Sequence, residues 1–317
     1  MIPTPAEVIA AAHRLRGVVA RTPLVRSPAL SEIAGVDVFL KCENEQVTGS
    51  FKLRGAYNAL ATLPANARAR GIVASSAGNH GLGIAHAARL LDVRARIFVP
   101  ATAPRVKRDG ILALGAEVDE SQPHYDAAHH AALEYTNQHG MTFVNPCAGE
   151  AVLAGQGSVA LEILEELPDL GTIVVPVGGG GLVGGVASLV RAVAPTVRIV
   201  GAQSEKTNAM AASLAAGHRV DVEAPPTLAD GLAGQIDDEG FAIGQRSIDE
   251  MRVVSEEAIA SAIAWLAREH DARVEGSGAC GVAALLGDTE KTFNGPIAVI
   301  VSGGNIDSAR WAGIVGR

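Results

Sequence analysis

Short runs of β-branched residues alternate with longer stretches of helical periodicity along the whole chain, and this alternation restricts the possible folds more than any other feature. Strands are expected at 36–40, 72–75, 95–99, 117–119, 142–145, 173–177, 197–203 and 297–301. Helices are expected between them at 53–62, 80–91, 105–114, 125–139, 152–166, 182–193 and 256–270, and an amphipathic helix follows Pro5. A strand joined to the next through a helix returns in the same direction, so strands pair in parallel and helices cover both faces of the sheet. Unbroken apolar runs at 173–177 and 297–301 mark central strands buried on both sides. The length of 317 residues allows two domains. No repeat, low-complexity tract or linker separates two halves, so a second domain would be an insertion into the first. The long aperiodic stretch 221–246 is expected to be a functional loop.

Composition excludes several function classes. A net charge of −8 leaves no concentrated basic face for nucleic acid or an anionic membrane. Cys42, Cys147 and Cys280 stand far apart without a C-x-x-C pair, which fits a reducing cytoplasm and neither a disulfide framework nor a structural zinc. The N-terminal segment lacks the basic and apolar regions of a signal peptide. Residues 172–190 run uncharged for the length of a membrane span, but Pro176 and the four glycines after Val177 would break such a helix. His124, His129 and His130 share a helix without Cys or carboxylate partners at ligand spacing, so no metal site is expected. A G-x-S-x-G nucleophile elbow is also missing.

In open α/β sheets, ligands bind beyond the carboxyl ends of the strands, where loops meet helix N-termini. Four such junctions here are polar or rich in glycine. In the first, 48–55 (TGSFKLRG), Lys52 stands at an expected helix start. Only five of the 26 basic residues are lysines, so an amine that does chemistry has few candidates. Most lysines are solvated, but a buried one shifts its pKa readily and can form a Schiff base. The second junction, 75–81 (SSAGNHG), suits a carboxylate, although Ser or Asn before a helix also serves as an ordinary N-cap. The third, Gly178, Gly179, Gly180 and Gly181 ahead of Gly184 and Gly185, can wrap a phosphate in backbone N–H groups. It also satisfies G-x-G-x-x-G, but the acid that a dinucleotide ribose needs after the next strand is missing: Gln203 stands there and Glu205 lies two residues late. The fourth, 301–305 (VSGGN), places the Ser302 hydroxyl at a strand end.

An amine, a carboxylate loop, a phosphate cradle and a hydroxyl together meet the needs of pyridoxal 5′-phosphate (PLP) handling an amino acid. The segments GSFKLRGA, SSAGNHG, VPVGGGGLVGG, TLADGL and VSGGN, in this order, resemble those of the fold-type II PLP enzymes, in particular the threonine/serine dehydratase and serine racemase branch. The resemblance runs from 21–24 (RTPL) to Asn305. It implies an α/β fold of two three-layer, parallel-sheet domains similar to tryptophan synthase β. A small substrate-closing domain at 72–146 is inserted in a large PLP-binding domain at 1–66 and 149–317. By the same resemblance Lys52 is the Schiff-base lysine, Phe51 neighbours the cofactor ring and Asn79 bonds the ring's 3′ oxygen. Ser76, Asn79 and His80 surround the substrate carboxylate, and Gly178, Gly179, Gly180 and Gly181 hold the phosphate. Gly231 packs on the ring and Ser302 faces the pyridine nitrogen. The implied function is a dehydratase that converts an L-3-hydroxy amino acid, such as threonine or serine, to a 2-oxo acid and ammonia through an aminoacrylate. The implied protein is a cytoplasmic homodimer or homotetramer with no nucleic-acid or membrane partner.

Several positions narrow the choice within that branch. A neutral hydroxyl at Ser302 cannot keep the pyridine nitrogen protonated as an aspartate would, which suits elimination. Serine racemases carry a second serine where this chain has Ala77, so racemisation with side elimination is the weaker alternative. A non-catalytic dinucleotide or amino-acid binding protein of similar fold is the other. Members that bind a divalent cation usually have Glu where this chain has Gln203, so a metal there is not expected. With the sequence ending at Arg317, a C-terminal regulatory domain is not expected. Segments 121–126 (SQPHYD) and 145–150 (NPCAGE) are expected to approach the substrate side chain. They differ from the patterns expected for plain threonine, which leaves room for a bulkier or more polar 3-hydroxy amino acid.

Overall fold

A computed structural model of the chain describes residues 2–223 and 225–316. The outer bounds of the expected large domain, residues 1 and 317, and residue 224 of the expected loop lie outside the described residues. The strands form two sheets. The six-stranded sheet has the order β1 (Leu24–Arg26), β2 (Val38–Lys41), β10 (Ile297–Ile300), β7 (Thr172–Pro176), β8 (Arg198–Ser204) and β9 (Glu250–Val254). The four-stranded sheet has the order β5 (Glu117–Gln122), β4 (Ala95–Pro100), β3 (Ile72–Ser75) and β6 (Thr142–Phe143). Every pairing between these strands is parallel except β1 with β2. The two edge strands β1 and β9 are absent from the sequence expectation. β1 has only three residues, and β9 interleaves Glu250 and Arg252 with its apolar positions, so neither carries the apolar run of a central strand.

Successive side chains on a strand point to opposite faces. In the large sheet Val174, Val200, Ile297 and Val299 therefore enter one core, beneath α2 (Pro28–Ala34), α12 (Glu256–His270) and α13 (Gly276–Leu286). Ile173, Val175, Ile199, Ala298 and Ile300 enter the other, beneath α1 (Pro5–Leu15), α8 (Glu150–Glu166) and α9 (Gly181–Val193). The small sheet is covered in the same way. Ile72, Ala74, Ile97 and Val99 pack with α3 (Lys52–Thr62) and α5 (Asn79–Leu91), while Val73 and Phe98 face α7 (Tyr125–His139). The core under the small sheet takes in Leu53 and Leu60 of α3 and Leu153 of α8, so chain segments on both sides of 72–146 contribute to it.

Two expectations are corrected. The stretch 221–246 is not loop throughout: a 3₁₀ turn occupies Asp230–Leu232, and α11 (Asp238–Ser247) begins where the Asp237 side chain accepts from the Gly240 N–H. Gly240 and Gly244 dilute the apolar pattern of α11 and hide its periodicity. The helices α3, α5, α8 and α9 start one or two residues earlier than expected, which makes Lys52 and Asn79 the first residues of their helices.

A buried ionic cluster seats α3. Arg54, with a fully buried side chain, donates to both oxygens of Glu43 (2.7 and 2.9 Å) and both oxygens of Glu162 (2.7 and 2.9 Å). It also reaches Ser158 Oγ (3.1 Å), while Lys41 Nζ donates to Glu162 and to the Thr22 carbonyl, each at 2.6 Å. The Thr22 hydroxyl completes the set by donating to Glu43 (2.6 Å). Burial by itself would raise the Glu43 carboxyl, but the Arg54 charge and hydrogen bonds outweigh it and hold that carboxyl below the usual range. Removing one member of such a set strands a charge out of water, whereas exposed pairs contribute little. Arg54→Met should therefore lower the unfolding free energy by about 3–5 kcal/mol. Arg21→Ala, which breaks the half-exposed pairs with Glu165 and Glu166, should cost under about 1 kcal/mol. Denaturant midpoints of the two variants check the contrast, and equal losses would contradict it.

Candidate functional site

Lys52 stands at the first position of α3, half-buried, with Phe51 as the residue before the helix. Its Nζ donates to the Pro146 carbonyl (2.9 Å) and lies 5.2 Å from the centroid of the Phe51 ring. The loop ahead of it is stitched to the segment after β10. Phe51 N–H donates to the Ser302 carbonyl (3.1 Å), Gly304 N–H to the Gly49 carbonyl (2.9 Å), and Ser50 bridges Gly303. The Asn145 side chain accepts from the backbone N–H groups of Cys147 and Ala148 (2.8 and 3.0 Å), which fixes the turn that offers the Pro146 carbonyl.

The second junction opens onto the same space. Asn79 starts α5 after Gly78, and no side chain caps that helix. Asn79 Oδ1 accepts from Asn305 Nδ2 (2.8 Å), and its Nδ2 donates to Glu275 (2.7 Å), so 75–81 is tied to the segment after Ser302. His80 is buried, with Nε2 against the Val144 carbonyl (3.0 Å). Burial and the neighbouring Lys52 charge push its pKa down to about 3, so the ring is neutral at pH 7. Ser76 is half-buried and its hydroxyl accepts from the Gly78 N–H (3.2 Å).

The glycine loop after β7 is lined by the Cys147 turn. A Cβ at Gly179 would lie 2.9 Å from Cys147 Cβ and Sγ, and one at Gly181 would lie 2.9 Å from Cys147 Cα. Gly180 has φ +96°, a conformation side chains rarely adopt, and a Cβ at Gly178 would lie 3.2 Å from Leu232 Cα. The loop runs into the N-terminus of α9, which no side chain caps. Unpaired N–H groups at such a terminus attract an anion. Gly231 lies in the 3₁₀ turn beside Leu232 and donates its N–H to Ser277 Oγ (2.9 Å). The adjacent Asp230 pairs with Lys107 (3.0 Å), a residue of α6 (Arg105–Ala113).

These elements bring every expected site residue to one end of the sheets. The structure adds Glu275, Asn305, Lys107 and Asp230, which the sequence reading does not assign. Asn305 ends the VSGGN segment, and Glu275 directly precedes the glycine-rich start of α13, so an acid or amide bordering a glycine cluster was the available signal. Tyr125 from 121–126 and Cys147 from 145–150 lie close enough to interact electrostatically, which brings those two segments together as well. Among the described residues no group of three His, Cys, Asp or Glu could hold a metal ion, and Gln203 Oε1 accepts from the Ala211 N–H (2.9 Å). No helix among them is long and apolar enough to cross a membrane.

The donor set fits a flat, polar cofactor bearing a phosphate. Among the described residues, four of the thirteen buried side-chain atoms without a protein partner stand at these junctions: Thr48 Oγ1, Ser50 Oγ, Ser75 Oγ and His80 Nδ1. Such atoms are costly unless something bonds them. Comparison with known proteins points the same way. Residues 15–303 match the family of pyridoxal-phosphate dependent enzymes. The chain is 45% identical over 298 residues to the L-threonine ammonia-lyase of Thermotoga maritima, which covers 94% of this chain and 74% of that protein. The structure of maize serine racemase superposes with a TM-score of 0.93 at 32% identity, covering 100% of this chain and 98% of that one. The processed form of threonine deaminase isoform 2 from Solanum lycopersicum follows at 0.92 and 34%, covering 98% of this chain and 92% of that one. A family match across nearly the whole chain, over a lysine, a glycine cradle and two uncapped helix ends that suit its cofactor, makes the chain a member of the pyridoxal-phosphate dependent enzymes.

Proposed function

We propose that this enzyme, a PLP-dependent lyase of the threonine/serine dehydratase type, acts on threonine, serine or a 3-substituted L-3-hydroxy amino acid and releases a 2-oxo acid and ammonia. The observation that carries this reading is the meeting of Lys52, the α5 terminus, the glycine loop and Ser302 at one site, in a chain whose relative is named an L-threonine ammonia-lyase. When bound, PLP supplies an electron sink that lets the Cα–H bond of an amino acid break. Lys52 anchors the cofactor and, once freed, its amine takes the proton from Cα. Gly178, Gly179, Gly180, Gly181 and the α9 terminus would hold the phosphate, Phe51 and Gly231 would flank the ring, and Asn79 would bond its 3′ oxygen.

The substrate carboxylate is received at the start of α5, among Ser76, Asn79 and His80. His80 acts there through its backbone N–H, because its neutral ring spends Nε2–H on Val144 and carries no proton on Nδ1. Ser302 would face the pyridine nitrogen with a neutral hydroxyl, which cannot keep that nitrogen charged as a carboxylate would and so suits elimination. Ala77 offers no hydroxyl next to this loop for returning a proton to the other face, so elimination is favoured over racemisation. Water lost in the elimination is regained when the released enamine hydrolyses to the 2-oxo acid and ammonia.

Residues 72–146 form the small unit that closes on the substrate, against a large unit of 1–66 and 149–317. The Lys107–Asp230 pair supports this, since it links α6 to the turn that carries Gly231. Tyr125 and Cys147 select the substrate side chain, a role supported by their proximity at the ends of 121–126 and 145–150. A cytoplasmic location is supported by three free cysteines, and the net charge of −8 argues against nucleic-acid or anionic-membrane partners. Assembly as a homodimer or homotetramer is proposed from the family resemblance alone.

Incubation of the PLP-loaded protein with a panel of L- and D-3-hydroxy amino acids tests the reaction. An L-substrate should yield its 2-oxo acid and ammonia with little of the D-enantiomer, and enantiomer yield equal to or above that of the oxo acid would defeat the dehydratase reading. Lys52→Ala should lose the near-visible absorption of the bound cofactor and at least about 10³-fold in rate, read by absorbance and by oxo-acid release.

A further inference from the structure

Glu275 sits behind the cofactor-ring site and has no part in the chemistry above. Its N–H donates to the Gly303 carbonyl (3.1 Å), and its side chain, on a residue 6% exposed, accepts from Asn79 Nδ2 at 2.7 Å. On the far side of the same carboxamide, Asn305 Nδ2 donates to Asn79 Oδ1 (2.8 Å) and to the Thr48 carbonyl (2.8 Å). A carboxamide has one acceptor oxygen and one amino group with two N–H bonds. With Asn305 donating on one side and Glu275 accepting on the other, only one of the two flipped orientations of Asn79 satisfies both partners. That orientation leaves a single Nδ2–H unspent.

The surroundings hold the carboxyl in place. A Cβ at Gly303 would lie 2.5 Å from Glu275 Oε1 and 3.1 Å from Asn79 Nδ2, so the pair fits because residue 303 has no side chain. A Cβ at Gly231 would lie 3.7 Å from the same oxygen. Glu275 thus borders Asn79, the turn after Ser302 and Gly231, three of the segments assigned to the ring. Burial and the Asp230 carboxylate push its pKa up to about 7, so it can accept from Asn79 without bringing a full negative charge to the ring.

We propose that Glu275 is a positioning residue for the cofactor, fixing the Asn79 carboxamide so that its free Nδ2–H points at the 3′ oxygen of the ring. This deepens the reading of Asn79 given above and rests on it. The test compares PLP-loaded Glu275→Ala, Asn79→Ala and the double variant by the near-visible absorption band and by the cofactor dissociation constant. Each single variant should shift the band in the same direction and weaken cofactor binding about tenfold, and the double variant should be no weaker than either single one. Glu275→Gln, which keeps an acceptor oxygen, should restore the band. If Glu275→Ala fails to fold, Gly303→Ala displaces the carboxyl without removing it and should produce the same shift. A shifted Asn79→Ala beside an unchanged Glu275→Ala or Gly303→Ala overturns the positioning role alone, as does a double-variant loss that multiplies to about a hundredfold. An unchanged Asn79→Ala overturns it together with the reading of Asn79.

Discussion

The site depends on how Arg54 is buried. Two carboxylates, a lysine and an arginine are withdrawn from water together, and their charges cancel. Each partner comes from a different part of the chain: Lys41 from β2, Glu43 from the turn after it, Arg54 from α3 and Glu162 from α8. Desolvating any of these groups singly costs several kcal/mol, so the four elements reach their places as a set. Because Arg54 lies two residues beyond Lys52, the same set holds the first turn of α3 and the direction in which the Lys52 amine leaves it. The stitching of Phe51 to Ser302 then carries that placement to the end of β10.

The proposed recognition at the site is done largely by backbone. The helices α5 and α9 begin without side-chain caps, as α3, α6, α8 and α13 also do. What sets α5 and α9 apart is that their unpaired N–H groups open onto the proposed site, where they can meet an anion. The side chains that accompany these termini are neutral: Asn79, a deprotonated His80 ring, and Ser302. Negative charge at the site therefore belongs to what is bound there, and the nearby acids are either paired, as Asp230 is with Lys107, or pushed toward neutrality, as Glu275 is.

How much of this could be read from the residues follows from what each feature needs to announce itself. The parallel architecture was legible because central strands such as 173–177 and 297–301 are β-branched and apolar on both faces. The edge strands were not, because β9 keeps charged residues among its apolar positions and β1 is held by its antiparallel pairing with β2 more than by its own three residues. Helix α13 escaped because it is buried all round and glycine-rich, so it has no polar face to create a period. Among site residues, Lys52 and the four glycines stood out through rarity and spacing. Glu275 did not, since its significance lies in meeting Asn79, 196 positions away in the chain. Pairings of that kind are a property of the folded topology and leave no local trace.

The central claim is that the fold presents one lysine, Lys52, to the cofactor. Lys41 is consumed by Glu162 and Thr22 in the interior, and Lys107 by Asp230. Borohydride reduction of the PLP-loaded protein, followed by peptide mass mapping, tests this most directly. The account predicts a single cofactor adduct on the peptide that contains Lys52. An adduct on the peptide of Lys41, Lys107, Lys206 or Lys291, or no adduct at all, would contradict it.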